Sequence, residues 1–173
     1  MVGTTNASAG GGNILSLNKA CLIWLPLNGN TKNYGSSDLV FYPNPYTSSV
    51  YPGFTYAGCY KNFIAKGGGL ISDKPILLGN NQSFFCWANF DSLTANSALG
   101  AGLGGQHRMS SNIGMGLTIR YVSATTGYIS VSTGTGTSRT YNTYYGNTLL
   151  HAGSWYHLGY TYDGTTICLY VNG

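Results

Sequence analysis

Gly153-Ser-Trp-Tyr-His-Leu-Gly-Tyr-Thr-Tyr-Asp-Gly-Thr-Thr-Ile-Cys-Leu-Tyr-Val-Asn-Gly173 is the most telling stretch of the chain. It holds two short runs of aromatic and β-branched residues, divided by Asp163-Gly164 and closed by Asn172-Gly173. Asp-Gly and Asn-Gly favour two-residue hairpin turns, whose central positions need φ > 0. The spacing therefore predicts a hairpin of strands 155–162 and 166–171. On the first strand, His157 shares a face with Trp155 and Thr161, opposite Leu158 and Tyr160. Asn172-Gly173 announces a further strand, so the expectation is a natural chain longer than 173 residues.

The same grammar recurs upstream. Gly116-Leu-Thr-Ile-Arg-Tyr-Val122 alternates, with Leu117, Ile119 and Tyr121 on one face and Thr118 and Arg120 on the other. Strand 127–133 follows a Thr125-Thr-Gly link and turns Ile129 and Val131 inward. Residues 83–90, Ser-Phe-Phe-Cys-Trp-Ala-Asn-Phe, are the most apolar strand. Cys21-Leu-Ile-Trp-Leu-Pro-Leu27 is a continuous apolar run, as expected of a strand covered on both faces. Shorter strands are expected at 39–42, 58–65 and 70–72, with a proline- and tyrosine-rich loop at 43–53. Residues 137–145 read as a polar, tyrosine-bearing edge strand. Turn signals every 8–12 residues and no helical period predict an all-β, two-sheet antiparallel sandwich or a barrel.

Composition narrows the function classes. Only 7% of residues are charged, glutamate is absent, and there are 15 tyrosines and 26 glycines. The net charge of +4 is scattered rather than gathered into a patch, which argues against nucleic acid as a partner. No run approaches the apolar length of a membrane span. The first residues carry neither the basic nor the apolar region of a signal peptide, so synthesis without export from a cytoplasm is expected. Residues 1–18, rich in Gly, Ala, Ser, Thr and Asn, read as a flexible or docking arm, leaving one domain at 19–173. Cys21, Cys59, Cys86 and Cys168 lie far apart without a C-x-x-C pair. They are read as buried free thiols, with two disulfides as the alternative for a protein working outside a cell.

Gly100-Ala-Gly-Leu-Gly-Gly105 matches G-x-G-x-x-G formally, but Gln106-His-Arg-Met-Ser-Ser after it has no helical period. A loop or bulged edge is expected there rather than a phosphate cradle. His107, His151 and His157 lack metal-ligand spacing. Four dispersed aspartates offer one or two calcium ligands at most, so no cofactor is expected unless residues after Gly173 complete a calcium site. Tyrosine rings supply apolar faces for sugar C–H groups together with a hydroxyl. Tyr141, Tyr144 and Tyr145 on the expected edge, with His107 and Arg108 on the glycine-rich segment, form the candidate carbohydrate-binding set. The alternative is ordinary sheet-surface tyrosines and a polar loop.

The closing segment, with W-x-H at 155–157, D-G at 163–164 and L-Y-V-N-G at 169–173, resembles the laminin-G-like, concanavalin A-like jelly-roll family. The resemblance extends back through Ser83-Phe-Phe-Cys-Trp87 to Leu25-Pro-Leu-Asn-Gly-Asn30, about residues 20–173. It implies a jelly-roll sandwich whose further strands lie beyond Gly173. The Glu-x-Asp-x-x-Glu motif of sandwich glucanases is not found, and no two aspartates share a strand face, which weighs against a two-carboxylate hydrolase. Gly104-Gly-Gln-His-Arg108 and the run from Gly114 to Tyr128 also resemble such domains in tailed-bacteriophage structural proteins. That second resemblance implies a non-catalytic virion component, a head or tail fibre or decoration. It would be oligomeric, docked on other virion proteins through its arm, and would bind host-surface glycans. Rival expectations are a purely structural spacer, a polysaccharide-degrading enzyme with catalytic residues beyond position 173, and a cellular adhesin.

Overall fold

In a computed structural model, the chain is described at residues 21–23, 25, 27, 31–43, 53–54, 60–61, 70–74, 81–93, 101–108, 113–134 and 141–173. The expected arm at 1–18 lies outside these residues. The described residues form strands and turns with no helix, and every strand pair is antiparallel. The chain divides into two compact units, residues 1–76 and 77–173.

The described residues of the first unit include four short strands: β1 (Phe41–Pro43), β2 (Gly53–Phe54), β3 (Tyr60–Lys61) and β4 (Leu70–Ser72). β1 pairs with β4, and β2 with β3. Asp73 extends the first ladder: its N–H donates to the Val40 carbonyl, and its Oδ1 accepts the Val40 N–H at 2.9 Å. Lys74 closes the corner on Asp38, which holds the Asp38 carboxyl below its ordinary pKa through the hydrogen bond and the opposite charge. The strand expected at 21–27 does not form among its described residues. Pro26 has no N–H to give a ladder. The Cys21 and Leu22 carbonyls instead accept from the N–H groups of Ser36 and Ser37, and Cys21 and Leu22 are exposed.

The second unit carries two sheets. β5 (Asn81–Asn89), β10 (Trp155–Asp163) and β11 (Ile167–Val171) form one in the order β11-β10-β5. β6 (Ala101–Arg108), β7 (Ile113–Tyr121), β8 (Thr126–Gly134) and β9 (Tyr141–His151) form the other in that order. The expected alternation holds: Leu117, Ile119, Ile129 and Val131 are buried, and they meet Leu158 and Tyr160 of the other sheet in one core. Burial of this apolar surface is what fastens the two layers together.

Two glycines are explained by close packing. A β-carbon on Gly104 would overlap the Phe84 ring, so the glycine-dense segment is a bulged edge strand over a core aromatic, not a phosphate loop. A β-carbon on Gly146 would stand 2.6 Å from Ile129 Cγ2. At that point β8 advances from Tyr128 to Ser130 while its partner runs from Leu149 to Tyr145, so β9 bulges. The strand expected to end at 145 therefore continues to His151.

The closing hairpin forms, with Tyr162 opposite Ile167 through Leu158 opposite Val171, two residues out from the pairing of Tyr162 with Thr165 that a two-residue Asp163-Gly164 turn would set. Its turn differs in detail. Gly164 takes φ 94°, but Asp163 stays in strand geometry and acts through its carboxylate, whose Oδ1 accepts the N–H groups of Thr165 and Thr166 at 2.8 and 2.7 Å. Those bonds hold the Asp163 pKa below the ordinary carboxylate value. Asn172 and Gly173 both have positive φ, 61° and 109°, as an Asn-Gly turn requires.

Candidate functional site

The strands of the second unit dictate what each sheet shows to solvent. In β5, burial alternates along the strand, so Phe84, Cys86 and Ala88 pack toward the core while Phe85 and Trp87 point outward. In β10, the outward set begins Trp155, His157, Gly159. Register places His157 beside Trp87, and Gly159 between Phe85 and Tyr170. The rings of Trp155, Trp87, His157, Phe85 and Tyr170 thus collect on the outer face of the three-stranded sheet.

Four of these rings touch in a continuous stripe, and Trp155 stands on the same face two residues before His157. Phe85 and His157 are stacked at 5.6 Å with 14° between planes. Trp87 and His157 are 5.2 Å apart, and Phe85 and Tyr170 5.7 Å. Trp87, Phe85 and Trp155 remain 49%, 44% and 41% exposed. From Trp155 to Gly159 the stripe runs about 14 Å along the strand. Exposed rings gathered on one face, rather than scattered singly, make a candidate interaction surface. Polar groups flank it: Thr161 Oγ1 meets the Tyr170 hydroxyl at 3.2 Å, and Asn172 exchanges two hydrogen bonds with the His157 backbone.

The outer face of the four-stranded sheet is different, carrying among its described residues several hydroxyls, the Arg120 guanidinium and exposed Leu149. Thr118 Oγ1 and Ser130 Oγ lie 2.7 Å apart, and Ser132 Oγ lies 3.4 Å from Thr143 Oγ1. Arg120 donates to the Tyr145 hydroxyl and stands 4.8 Å from the centre of that ring.

The residues expected to bind carbohydrate fall on both edges of this sheet. Tyr144 and Tyr145 are exposed on β9, the edge strand that the sequence predicts. They are successive residues, however, so Tyr144 stands opposite core Val131 and Tyr145 opposite Ser130, on opposite faces. Tyr141 stands opposite Gly134 on the same strand. His107 and Arg108 are on β6, opposite Gly114 and Ile113. With β7 and β8 between, the backbones of the two edges are about 14 Å apart, three strand spacings. The structure therefore does not bring all five together.

The aromatic stripe escapes a reading of the sequence for a clear reason. Residues 83–90 read as uniformly apolar, which hides that every second ring points outward. The signal lies in period two: Phe85 and Trp87 fall on the face that receives the Trp155 and His157 side of the hairpin.

The cysteines depart in part from the expectation of burial. The Cys86 thiol is pushed up to about 12 by burial, but Cys21 and Cys168 are exposed, because Cys168 falls on the outward phase of β11. Cys21, Cys86 and Cys168 are all free thiols. Cys59 lies outside the described residues. Among the described residues no three His, Cys, Asp or Glu side chains gather as a metal site, and no helix is long and apolar enough to cross a membrane.

No curated protein and no solved structure matches the chain. The Laminin_G_3 family, described as the concanavalin A-like lectin/glucanases superfamily, matches at residues 65–173, more than half the chain, including both sheets of the second unit. The chain belongs to this concanavalin A-like lectin/glucanase family.

Proposed function

We propose that the protein is a non-catalytic, glycan-binding component of a virion. The observation that carries the binding half is the exposed stripe of Trp155, Trp87, His157, Phe85 and Tyr170. Sugar rings present apolar C–H faces that stack on such rings, and their hydroxyls need flanking polar groups such as Asn172 and Thr161. Membership of a lectin/glucanase family supports carbohydrate as the ligand class.

The non-catalytic half rests on the acids. Glycoside hydrolysis normally needs one carboxyl with a raised pKa beside an ionised one. There is no glutamate. Asp38 and Asp163 both have lowered pKa values, the first from Lys74 and the second from turn N–H groups, and Asp73 is spent on the Val40 N–H. For Asp38 and Asp163 this is the opposite of what a proton donor requires.

Placement on a virion rests on the similarity of the 104–108 and 114–128 segments to phage structural domains, and on a surface solubilised by hydroxyls and amides rather than charge. In this reading the protein is made in the host cytoplasm and docks on other virion proteins through residues 1–18. It is displayed in several copies for attachment to the host surface.

A glycan array with the wild type and the Trp87→Ala and Trp155→Ala variants tests the binding half. Binding by the wild type, lost in both variants while the fold is retained, supports it. Wild-type silence on the array, with the protein present on intact particles, favours a spacer module instead. Release of reducing sugar from a bound polysaccharide would contradict the non-catalytic reading.

A further inference from the structure

The outer face of the four-stranded sheet carries a second, chemically distinct feature. Arg120 reaches diagonally across β8 to Tyr145, to which it donates a hydrogen bond, and its guanidinium carbon lies 4.8 Å from the ring centre. An exposed arginine is ordinarily a mobile side chain with a large rotamer entropy. Here one N–H is anchored and the guanidinium is held against an aromatic surface, which leaves its other donors available in a fixed plane. No acid stands among the described residues of β7, β8 and β9 that share this face by register, which include Thr118, Tyr128, Ser130, Tyr145, Leu149 and His151. An ordered cation without an anionic neighbour, in a chain with no glutamate and a net charge of +4, calls for an anion from outside.

We propose that Arg120 and Tyr145 form an oxyanion subsite, so that the glycans bound are acidic polysaccharides. The planar fork of Arg120 pairs with a carboxylate or sulfate oxygen pair, and the Tyr145 ring takes the apolar face of the same sugar. The half-buried Thr118 hydroxyl, held by buried Ser130 beneath it, lies beside the pair and can bond a neighbouring sugar hydroxyl. Nearby Ser130 is 2% exposed although it faces outward, so this part of the sheet is already largely dehydrated and favours a charge-assisted contact. The subsite rests on the glycan-binding reading above, but on residues of the opposite sheet from the aromatic stripe.

The test is calorimetric titration of the full chain with polygalacturonate, the same polymer after carboxyl reduction, dextran, and dextran sulfate. The wild type is expected to bind polygalacturonate about tenfold or more tighter than its reduced form, with the preference weakening at high salt. Arg120→Gln is expected to erase that preference while binding to the neutral polymers persists. Arg120→Lys should retain part of it, and Tyr145→Phe should weaken it by releasing the guanidinium. A preference for dextran sulfate over polygalacturonate, lost in Arg120→Gln, supports the same subsite with sulfate as the group read. An intact preference in folded Arg120→Gln overturns the subsite alone. Binding of no polymer by the wild type overturns the glycan reading and the subsite together.

Discussion

Phe85 lies across Gly159, so closely that a β-carbon at position 159 would overlap its ring. Gly159 is buried beneath it although its position faces outward. The glycine is thus the gap in β10 that lets the phenyl cross the strand and touch both His157 and Tyr170. The continuity of the aromatic stripe depends on this pair.

Gly159→Ala is expected to destabilise the protein by about 1–3 kcal/mol, since the added methyl also meets the Phe84 carbonyl at 2.7 Å. Gly102→Ala, with nothing within 4 Å of its β-carbon, should stay within about 0.5 kcal/mol of wild type. Urea denaturation of both variants checks the contrast. The same Gly159→Ala variant should bind glycan more weakly, because the displaced Phe85 breaks the stripe.

Core and stripe should separate cleanly by mutation. Leu158 is fully buried and Trp87 half exposed, on opposite faces of neighbouring strands. Leu158→Ala is expected to cost about 2–5 kcal/mol, as a buried leucine that leaves a cavity. Trp87→Ala should cost about 1 kcal/mol, the scale of a surface aromatic pair. Thermal unfolding measures both.

Much of this is legible in the sequence. The alternation of 116–122 places Leu117 and Ile119 inside, and the aromatic and β-branched runs at 155–171 read as the hairpin they form, although the four residues between Tyr162 and Ile167 replace the two-residue turn that Asp163-Gly164 suggests. What the sequence conceals has specific causes. The edge strand expected to end at 145 runs on to His151 through a bulge, where Gly146 admits an Ile129 methyl group. The apolar run at 21–27 imitates a strand, although the Cys21 and Leu22 carbonyls accept from the N–H groups of Ser36 and Ser37 rather than from a ladder partner. Tyr144 and Tyr145 look like a pair in sequence, and period two sends them to opposite faces. The Arg120–Tyr145 contact joins residues 25 positions apart and carries no local signature.

The Asp163 turn predicts a pH dependence. Its carboxylate has a lowered pKa because it accepts the Thr166 and Thr165 N–H groups, so its contribution to stability is fully present above the ordinary value of 3.8 and is lost as pH falls through the folded-state pKa. Asp163→Asn keeps an oxygen acceptor and removes the titration. The variant should therefore show a shallower loss of stability on acidification than the wild type, measured as the denaturation midpoint against pH.

Thiol labelling reads the strand phases of the sheet. Cys21 and Cys168 are exposed, whereas the Cys86 thiol is pushed up to about 12 by burial. Maleimide labelling followed by mass spectrometry should modify Cys21 and Cys168 in the native protein and reach Cys86 only on unfolding. Saturating glycan should slow modification of Cys168, which shares the outward face of β11 with Tyr170, and leave Cys21 unchanged.

Glycan affinity of the wild type against Trp87→Ala and Trp155→Ala, with folding verified for each, bears hardest on the role of the stripe. Measurable wild-type binding is expected to fall about tenfold or more in each variant, since each removes one stacking surface. Unchanged affinity in both folded variants would overturn that role, because the sugar would then be held somewhere other than the aromatic stripe.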